Sequence, residues 1–417
     1  MRRRILFYCQ PLLGLGHLTR SLAILRGLTR FDIWMVNGGR PLPAFLLPTL
    51  PPHLTIVQLP PLQADPTFQT IESAGVAETS GTDRAAIEEE RRTALFELLR
   101  RVEPEIILIE LFPFGRLPFA GEILPLLDAA RAQATAADRP LRIVCSLRDI
   151  LVEKRDPEQF EQFVIATANR YFDLILVHAD PAFQRLDETF PKVGSLTCPV
   201  VYTGYVAERG MGGAAPPGSP PPREALIVAS IGGGRVGSEL LDRVAIASQA
   251  IQETYPHRLL LLTGPYIPEE EERALRARWG HLPHLAIERF EVDFVGLLRR
   301  ACLSISLAGY NTSMNVLISG VPAILSPYTG NRNREQSQRA ARLAAAGWIR
   351  VLPATPETTD AHLDPLQSWM KEALSCPTPE RQLELRLDGV ETTARLLEEL
   401  LPPRADQPAE DRSGEPV

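Results

Sequence analysis

Short apolar runs, separated by glycine-rich turns and amphipathic stretches, recur along most of the chain. The first run, 5–9, is followed by a glycine-rich turn at 13–17, an amphipathic stretch at 19–28 and a second apolar run at 33–36. Apolar runs of this length are typical of buried parallel strands, and leucines that recur at helical spacing indicate a helix. This opening therefore predicts a parallel α/β sheet with right-handed crossovers.

The pattern continues through the first half of the chain. It predicts strands at 56–59, 106–109, 142–146 and 174–177, and helices at 84–102, 123–137 and 160–171. Residues 41–52 are rich in proline and predict an irregular loop, and the small polar residues of 62–82 predict a mobile loop.

A run of Gly, Ala, Ser and Pro from 210 to 222 predicts a linker. A chain of 417 residues suits two domains. We therefore predict an N-terminal Rossmann-like domain at 1–208, a linker at 209–223, a second domain at 224–382, a final helix at 383–401 and a disordered tail at 402–417.

The second domain repeats the opening pattern twice. A strand at 225–229 leads to a turn with three glycines and a helix at 238–254, and a strand at 302–307 leads to a second turn and a helix that stops at Gly320. We expect Asn311 or Thr312 to cap that helix and Glu335 to open a later one. Turns of this kind present free backbone N–H groups to a phosphate. The candidate phosphate-binding residues are Ser230, Gly232, Gly233, Gly234, Gly309, Tyr310, Asn311 and Thr312.

Neither glycine-rich turn matches a better-known nucleotide motif. The turn at Ser230 lacks the Gly-Lys-Ser/Thr ending of a P-loop, and a plain flexible turn is the alternative interpretation. The first turn lacks the third glycine of the dinucleotide fingerprint and has no acidic partner about 20 residues later. An ordinary connection between strand and helix is the alternative there.

Polar residues at the predicted carboxyl ends of the first domain's strands are candidates for chemistry. His17 opens a helix and can act as a base, and Glu110 can deprotonate a hydroxyl at the sheet edge where such folds bind ligands. A surface glutamate, or one paired with Arg116, is the alternative for Glu110. Gly14, Gly16, Arg148 and Asp149 complete this candidate acceptor side, although Arg148 and Asp149 also suit an internal ion pair.

Composition narrows the class of protein. A net charge of −7 argues against a nucleic-acid binder. The sequence contains no run of about 18 apolar residues, so we expect no membrane span. Five dispersed cysteines predict a reducing, cytoplasmic setting, and the remaining histidines show no metal-ligand spacing, so we expect no metal site.

The motifs resemble those of a known family. The segments Ser306–Thr312, Gly320–Ala323 and Arg334–Gln336, with Gly14–Arg20, are similar to MurG-like GT-B glycosyltransferases of family 28. The segments Glu110–Arg116, Leu147–Ile150 and Tyr202–Val206 more closely resemble a bacterial group of predicted glycosyltransferases. The resemblance covers about residues 1–401.

The resemblance implies two Rossmann-like domains that face each other across a cleft, with the final helix packed back on the first. It implies inverting, metal-independent transfer of a hexose or N-acetylhexosamine from a UDP-type sugar, without a cofactor, to an unknown acceptor, small or lipid-linked. His17 or Glu110 would be the base, and Glu335 and Gln336 would hold the sugar. Asn315 stands where family members carry a glutamate that binds the ribose.

Two other functions remain open at this stage: a nucleotide-sugar 2-epimerase of the same fold, and a degenerate protein that binds the donor without turnover. Asn315 supports the second alternative. Peripheral contact with the inner membrane face is a further interpretation, because similar enzymes glycosylate lipid carriers and 41–54 and 112–119 contain apolar residues, but packing of buried loops is the favoured explanation of those residues.

Overall fold

The computed structural model describes residues 2–12, 16–64, 71–73, 81–152, 154, 156–208, 210, 223–328, 330, 334–353, 360–375 and 384–403. These residues form two parallel α/β sheets, each covered by helices. The predicted linker, apart from 210 and 223, and all of the predicted tail except 402 and 403 lie outside the described residues.

The first domain contains a seven-stranded parallel sheet in the order β3-β2-β1-β6-β7-β8-β9. Its strands, with those of a small antiparallel hairpin (β4 and β5), are β1 Arg3–Cys9, β2 Phe31–Asn37, β3 Leu54–Gln58, β4 Leu62–Ala64, β5 Ile71–Ser73, β6 Ile106–Glu110, β7 Arg142–Arg148, β8 Leu174–His178 and β9 Val200–Tyr202. Its helices are α1 Gly16–Gly27, α2 Gly81–Val102, α3 Ala120–Ala136 and α4 Pro157–Tyr171. The central strand β6 is buried along its whole length, as a strand covered on both faces must be.

The second domain contains a six-stranded parallel sheet in the order β12-β11-β10-β13-β14-β15. Its strands are β10 Glu224–Ser230, β11 Arg258–Leu262, β12 Leu285–Glu288, β13 Ala301–Leu307, β14 Ala323–Ser326 and β15 Arg350–Val351. Its helices are α5 Ser238–Ile251, α6 Glu269–Trp279, α7 Phe294–Arg300, α8 Tyr310–Ser319, α9 Glu335–Ala345 and α10 Asp360–Ser375.

The final helix, α11 Gly389–Glu399, packs on α1 of the first domain. Its residue Leu397 is fully buried in the same cluster as Leu22 and Leu25, and Val390 lies over Gly27. The helix begins later than the apolar pattern indicates. The described residues that precede it instead run along the first domain, where the backbone N–H of Tyr205 donates to the carbonyl of Arg386.

Three local predictions are wrong. Residues 44–49, expected to be irregular, form a short 3-10 helix, and the described ends of the expected mobile loop pair as β4 and β5. Asn311 and Thr312 lie inside α8, whose N-cap is Gly309 in extended conformation with no side-chain cap. The side chain of Asn311 is used elsewhere, as described below. Gly320 does end the helix, with a φ of 67° that favours glycine.

Candidate active site

Each sheet has one point at which the strand order reverses, and the two points face each other. In the first sheet the chain runs outward in opposite directions from β1 and β6, and in the second from β10 and β13. Ligands of open α/β sheets bind beyond the carboxyl ends of the strands at such points. His17 follows β1 and Glu110 ends β6, so the topology brings the two candidate bases together.

His17 and Glu110 form a hydrogen-bonded pair. Nδ1 of His17 lies 2.6 Å from Oε1 of Glu110, and Nη2 of Arg20 donates to the same oxygen at 2.5 Å. The Glu110 side chain is fully buried, whereas 22% of the His17 side chain is exposed. Because an ionised carboxylate accepts but cannot donate, we assign the ring proton to Nδ1, which leaves Nε2 as the basic nitrogen.

The surroundings keep Glu110 ionised and His17 neutral. Burial would raise the pKa of Glu110, but His17, Arg116 and Arg20 bring that pKa below its ordinary value. Burial lowers the pKa of His17 from 6.5 to about 4, although the charge of Glu110 opposes the shift. A neutral imidazole oriented by a carboxylate is the arrangement that general-base catalysis requires.

The two glycine-rich turns of the second domain lie side by side, because β10 and β13 are neighbouring parallel strands. A Cβ on Gly232 would come within 4.0 Å of Oγ1 of Thr312, so the turns nearly touch. Gly234 has a φ of 87°, and a Cβ there would lie 2.4 Å from the Thr263 carbonyl, so only glycine fits. The hydroxyl of Ser230 accepts a hydrogen bond from the Gly232 N–H at 3.2 Å.

The start of α8 contacts the start of α1 directly. The side-chain amide of Asn311 donates to the carbonyl of Gly16 at 2.9 Å and to the hydroxyl of Thr19. His17, the candidate base, is therefore next in sequence to Gly16, which contacts α8, the candidate phosphate-binding helix.

Tyr310 connects the two domains rather than facing the space between them. Its hydroxyl donates to the carbonyl of His178 at 3.2 Å and accepts from the N–H of Val206 at 3.1 Å. The guanidinium groups of Arg20 and Arg339 each lie 5.3 Å from the centre of its ring. Only the backbone of Tyr310 is left for the predicted phosphate role, because its side chain is buried in the domain interface.

Arg148 and Asp149 pair with the second domain instead of with each other. Arg339 of α9, fully buried, donates to both oxygens of Asp149 at 2.9 and 3.0 Å. Glu335 accepts from Arg339 at 2.6 Å and forms an ion pair with Arg148. Burial would raise the pKa of Asp149, but Arg339 lowers it below its ordinary value. This four-residue group, the interdomain ion cluster, holds the domains together beside the site.

The remaining predicted site residues include Gln336, Asn315 and Gly14. Oε1 of Gln336 accepts the N–H of Tyr328 at 2.9 Å, Asn315 is half-buried on α8, and Gly14 lies outside the described residues. Their predicted roles stay predictions.

Two residues at the site were missed. Arg20, which belongs to the Gly14–Arg20 motif, donates a hydrogen bond to Glu110. Pairing of Arg339 with Glu335 could have been predicted, because the two residues are four apart on one helix.

A cleft of about 540 Å³ is lined by residues of both domains. Phe45 and Phe290 approach each other across it, with ring centres 4.1 Å apart. The lining residues are Arg40, Pro41, Pro43 and Phe45 from the first domain and Pro265, Tyr266, Arg289 and Phe290 from the second.

Within the described part of the chain, no cluster of three His, Cys, Asp or Glu side chains is suited to hold a metal ion. In that same part, every helix is too short or too polar to cross a membrane.

Comparison with known proteins identifies the second domain. Residues 228–376 match the family described as glycosyltransferase family 28 C-terminal domain. That segment contains both glycine-rich turns, Asn315, Glu335 and Gln336. The predicted family resemblance is confirmed.

The relatives that match part of the chain include two proteins named UDP-N-acetylglucosamine–N-acetylmuramyl-(pentapeptide) pyrophosphoryl-undecaprenol N-acetylglucosamine transferase. The protein from Rippkaea orientalis is 31% identical over 37% of this chain and 44% of its own length. The one from Gloeobacter violaceus is 33% identical over 30% of each. The chain thus covers less than half the length of these relatives.

Solved structures match nearly the whole chain. MurG from Acinetobacter baumannii has a TM-score of 0.55 at 16% identity, over 95% of this chain and 99% of that one. A UDP-glucosyltransferase from Polygonum tinctorium has a TM-score of 0.56 at 12% identity, with the same coverage. The predicted GT-B fold is confirmed.

Proposed function

We propose that this GT-B protein, whose residues 228–376 form a glycosyltransferase family 28 C-terminal domain, transfers a sugar from a UDP-type donor to an acceptor hydroxyl. The observation that carries the proposal is the His17–Glu110 pair, 2.6 Å apart, next to the start of α8. A base and a phosphate-binding helix are the two parts that transfer from a nucleotide sugar requires. The comparisons do not favour the 2-epimerase or the binding protein without turnover.

In this mechanism the acceptor hydroxyl gives its proton to Nε2 of His17 while its oxygen attacks the anomeric carbon. The bond from that carbon to the diphosphate oxygen breaks, and UDP leaves with the electron pair. Glu110, held by Arg20, stabilises the imidazolium that forms. Attack opposite the leaving group inverts the anomeric centre.

The donor diphosphate would lie over the turns at Gly232–Gly234 and Gly309–Thr312. The first N–H groups of α8 and its positive dipole end would stabilise the charge that develops on the leaving group. We assign the sugar to Glu335 and Gln336. Glu335 is 7% exposed and its two oxygens already contact Arg339 and Arg148, so it would accept a sugar hydroxyl alongside these arginines.

The acceptor and the location in the cell also belong to the proposal. The names of the relatives describe a lipid-linked acceptor, pyrophosphoryl-undecaprenol, and we extend to this chain only the class: a small or lipid-linked hydroxyl compound. A cytoplasmic protein that touches the inner membrane face would fit such a substrate. Transfer without a metal or cofactor is likewise proposed.

UDP is expected to protect the protein against thermal unfolding. A ligand at 100 times its Kd stabilises the folded state by about 2.7 kcal/mol, and uridine should protect far less because it lacks the diphosphate. Differential scanning calorimetry with each ligand tests this. A melting temperature that millimolar UDP leaves unchanged would refute the UDP donor.

A variant at Gly309 tests where the diphosphate of UDP binds. A Cβ at Gly309 meets no heavy atom of a described residue within 4 Å, so Gly309→Ala should fold normally while its methyl group enters the space assigned to the diphosphate. We expect about tenfold weaker UDP binding, or about 1.4 kcal/mol. The matched control is Gly121→Ala on α3, where a Cβ also meets nothing. If both variants bind UDP with equal affinity, the diphosphate does not bind at this turn.

The transfer rate should stay constant from pH 7 down to about pH 5 and fall only as the pH approaches 4. The base must be unprotonated, and burial lowers the pKa of His17 to about 4, with the charges of Arg116 and Arg20 acting in the same direction. The measurement is kcat/KM against pH, with circular dichroism as the control for folding. An acid limb at the ordinary histidine pKa of about 6.5 would contradict the buried neutral imidazole.

A further inference from the structure

Arg116 is a buried cation that makes no hydrogen bond with any residue that the structure describes. It ends the turn that follows β6, its side chain is 7% exposed, and its Nε and Nη2 atoms are buried and make no hydrogen bond. The nearest carboxylate oxygen, Oε2 of Glu110, is 3.7 Å from Nη2, beyond hydrogen-bond range, and it too has no partner. Leaving charged donors buried without a hydrogen-bond acceptor is unfavourable, even beside a carboxylate, which points to an acceptor that arrives with a substrate.

The charges around Arg116 leave an excess of positive charge. Among the residues that the structure describes, four arginines and three carboxylates meet where β1, β6 and β7 end. Lys154 lies beside them, because its ammonium packs on the Phe160 ring, Phe160 contacts Phe190, and Phe190 contacts Phe114, two residues before Arg116. The arginines are Arg20, Arg116, Arg148 and Arg339, and the carboxylates are those of Glu110, Asp149 and Glu335.

Most of these cations make hydrogen bonds or close ion pairs with carboxylates, whereas among the described residues Arg116 has only its 3.7 Å ion pair with Glu110. Arg20 binds Glu110, Arg339 binds Asp149, and Arg148 pairs with Glu335. Lys154 lies with its ammonium 5.2 Å from the centre of the Phe160 ring and makes no ion pair with a described residue. Arg116 and Lys154 are therefore the two cations of the cluster that can take an anion from outside.

We propose that Arg116, with Lys154, forms an anion subsite for the acceptor, so that the acceptor bears a phosphate or carboxylate group close to its reacting hydroxyl. This inference rests on the proposed transferase function. Arg116 follows the same strand as Glu110, which it faces at 3.7 Å, so an anion bound to it would bring a neighbouring hydroxyl towards His17. A guanidinium suits this role because its planar donors match two oxygens of either group.

The subsite belongs to the acceptor because of where it lies. Arg116 and Lys154 are on the first domain, beyond β6 and β7, whereas the turns assigned to the donor diphosphate follow β10 and β13 of the second domain. The donor diphosphate and the acceptor anion would thus bind on opposite sides of His17. Binding of the anion should be compatible with bound UDP.

The test is isothermal titration calorimetry at constant ionic strength on the UDP-saturated protein. The probes are glycerol 3-phosphate, glycerate and glycerol, which share hydroxyls and differ in the acidic group. We expect at least one anion to bind and glycerol not to bind. Arg116→Gln should bind that anion at least tenfold more weakly, and Arg116→Lys at least threefold more weakly, with UDP affinity within twofold of the wild type. The probe that binds more tightly distinguishes a phosphate from a carboxylate acceptor.

Controls separate this inference from the donor proposal. Arg185→Gln removes an exposed arginine that pairs with Asp187 and should change nothing. Should Arg116→Gln not fold, as judged by circular dichroism, Arg116→Lys decides. Anion binding that is unchanged in the folded variants, absent in the wild type or displaced by UDP overturns the acceptor subsite. If the wild type does not bind UDP, the donor proposal is overturned. The anion titration is then carried out on the protein without UDP.

Discussion

The variant His17→Ala is expected to lower kcat by about 10²–10⁴, the usual contribution of a general base. Nε2 of His17 is the basic nitrogen on the acceptor side because Nδ1 is engaged by Glu110 at 2.6 Å. The affinity for UDP should change less than twofold, since His17 lies on the first domain and the donor turns lie on the second. Steady-state kinetics together with UDP titration measure both quantities.

The control is His281→Ala, which removes an exposed histidine far along the chain in the second domain and should keep full activity. A loss below tenfold in His17→Ala would assign the base to Glu110, and Glu110→Gln should then be the more damaged variant. If His17 is the base, Glu110→Gln should instead keep part of the rate, because the imidazole remains and only its orientation and charge stabilisation are lost.

The variant Asp149→Ala is expected to destabilise the folded protein by about 3 kcal/mol, because it removes one of the two described carboxylates that pair with the buried Arg339 and leaves Glu335 as the remaining counter-charge. Arg339 is fully buried and makes two hydrogen bonds to Asp149, at 2.9 and 3.0 Å. The contact crosses the domain interface, so the loss should appear as earlier unfolding in urea and as faster hydrogen exchange at the start of α9. Both are measured on the full chain.

A double variant and a variant of an exposed ion pair test whether the loss of stability is specific to the buried ion pair. Asp149→Leu combined with Arg339→Met should regain most of the lost stability, because apolar replacement of a whole buried ion pair is often neutral. Asp128→Ala, which breaks the exposed pair with Arg170, should change the stability by less than about 1 kcal/mol. Equal effects of Asp149→Ala and Asp128→Ala would mean that the interdomain ion cluster contributes little.

At low pH the same cluster should weaken. The folded-state pKa of Asp149 lies below its ordinary value, so its stabilising effect is fully present above about pH 4, the unfolded value, and is lost as the pH falls below it.

Local sequence determined the fold and the parts of the site that depend on backbone geometry. Short buried strands, glycine-rich turns and a glycine at φ 67° after α8 are properties of neighbouring residues, so the pattern predicted them. The placement of His17 after β1 and Glu110 at the end of β6 also followed from the chain alone. Parallel strands in one sheet bring their carboxyl ends to one edge, so both residues had to face the cleft.

Partner choice between distant side chains could not be predicted this way. Asn311 was expected to cap its own helix, yet it donates to Gly16, and Arg148 and Asp149 pair with residues of α9 rather than with each other. These contacts depend on how two separately folded domains dock, which no local pattern specifies. The Arg116 donors that lack a described hydrogen-bond acceptor became visible only when every neighbouring charge had its partner assigned, because an unmet hydrogen bond is a property of the whole packed interior.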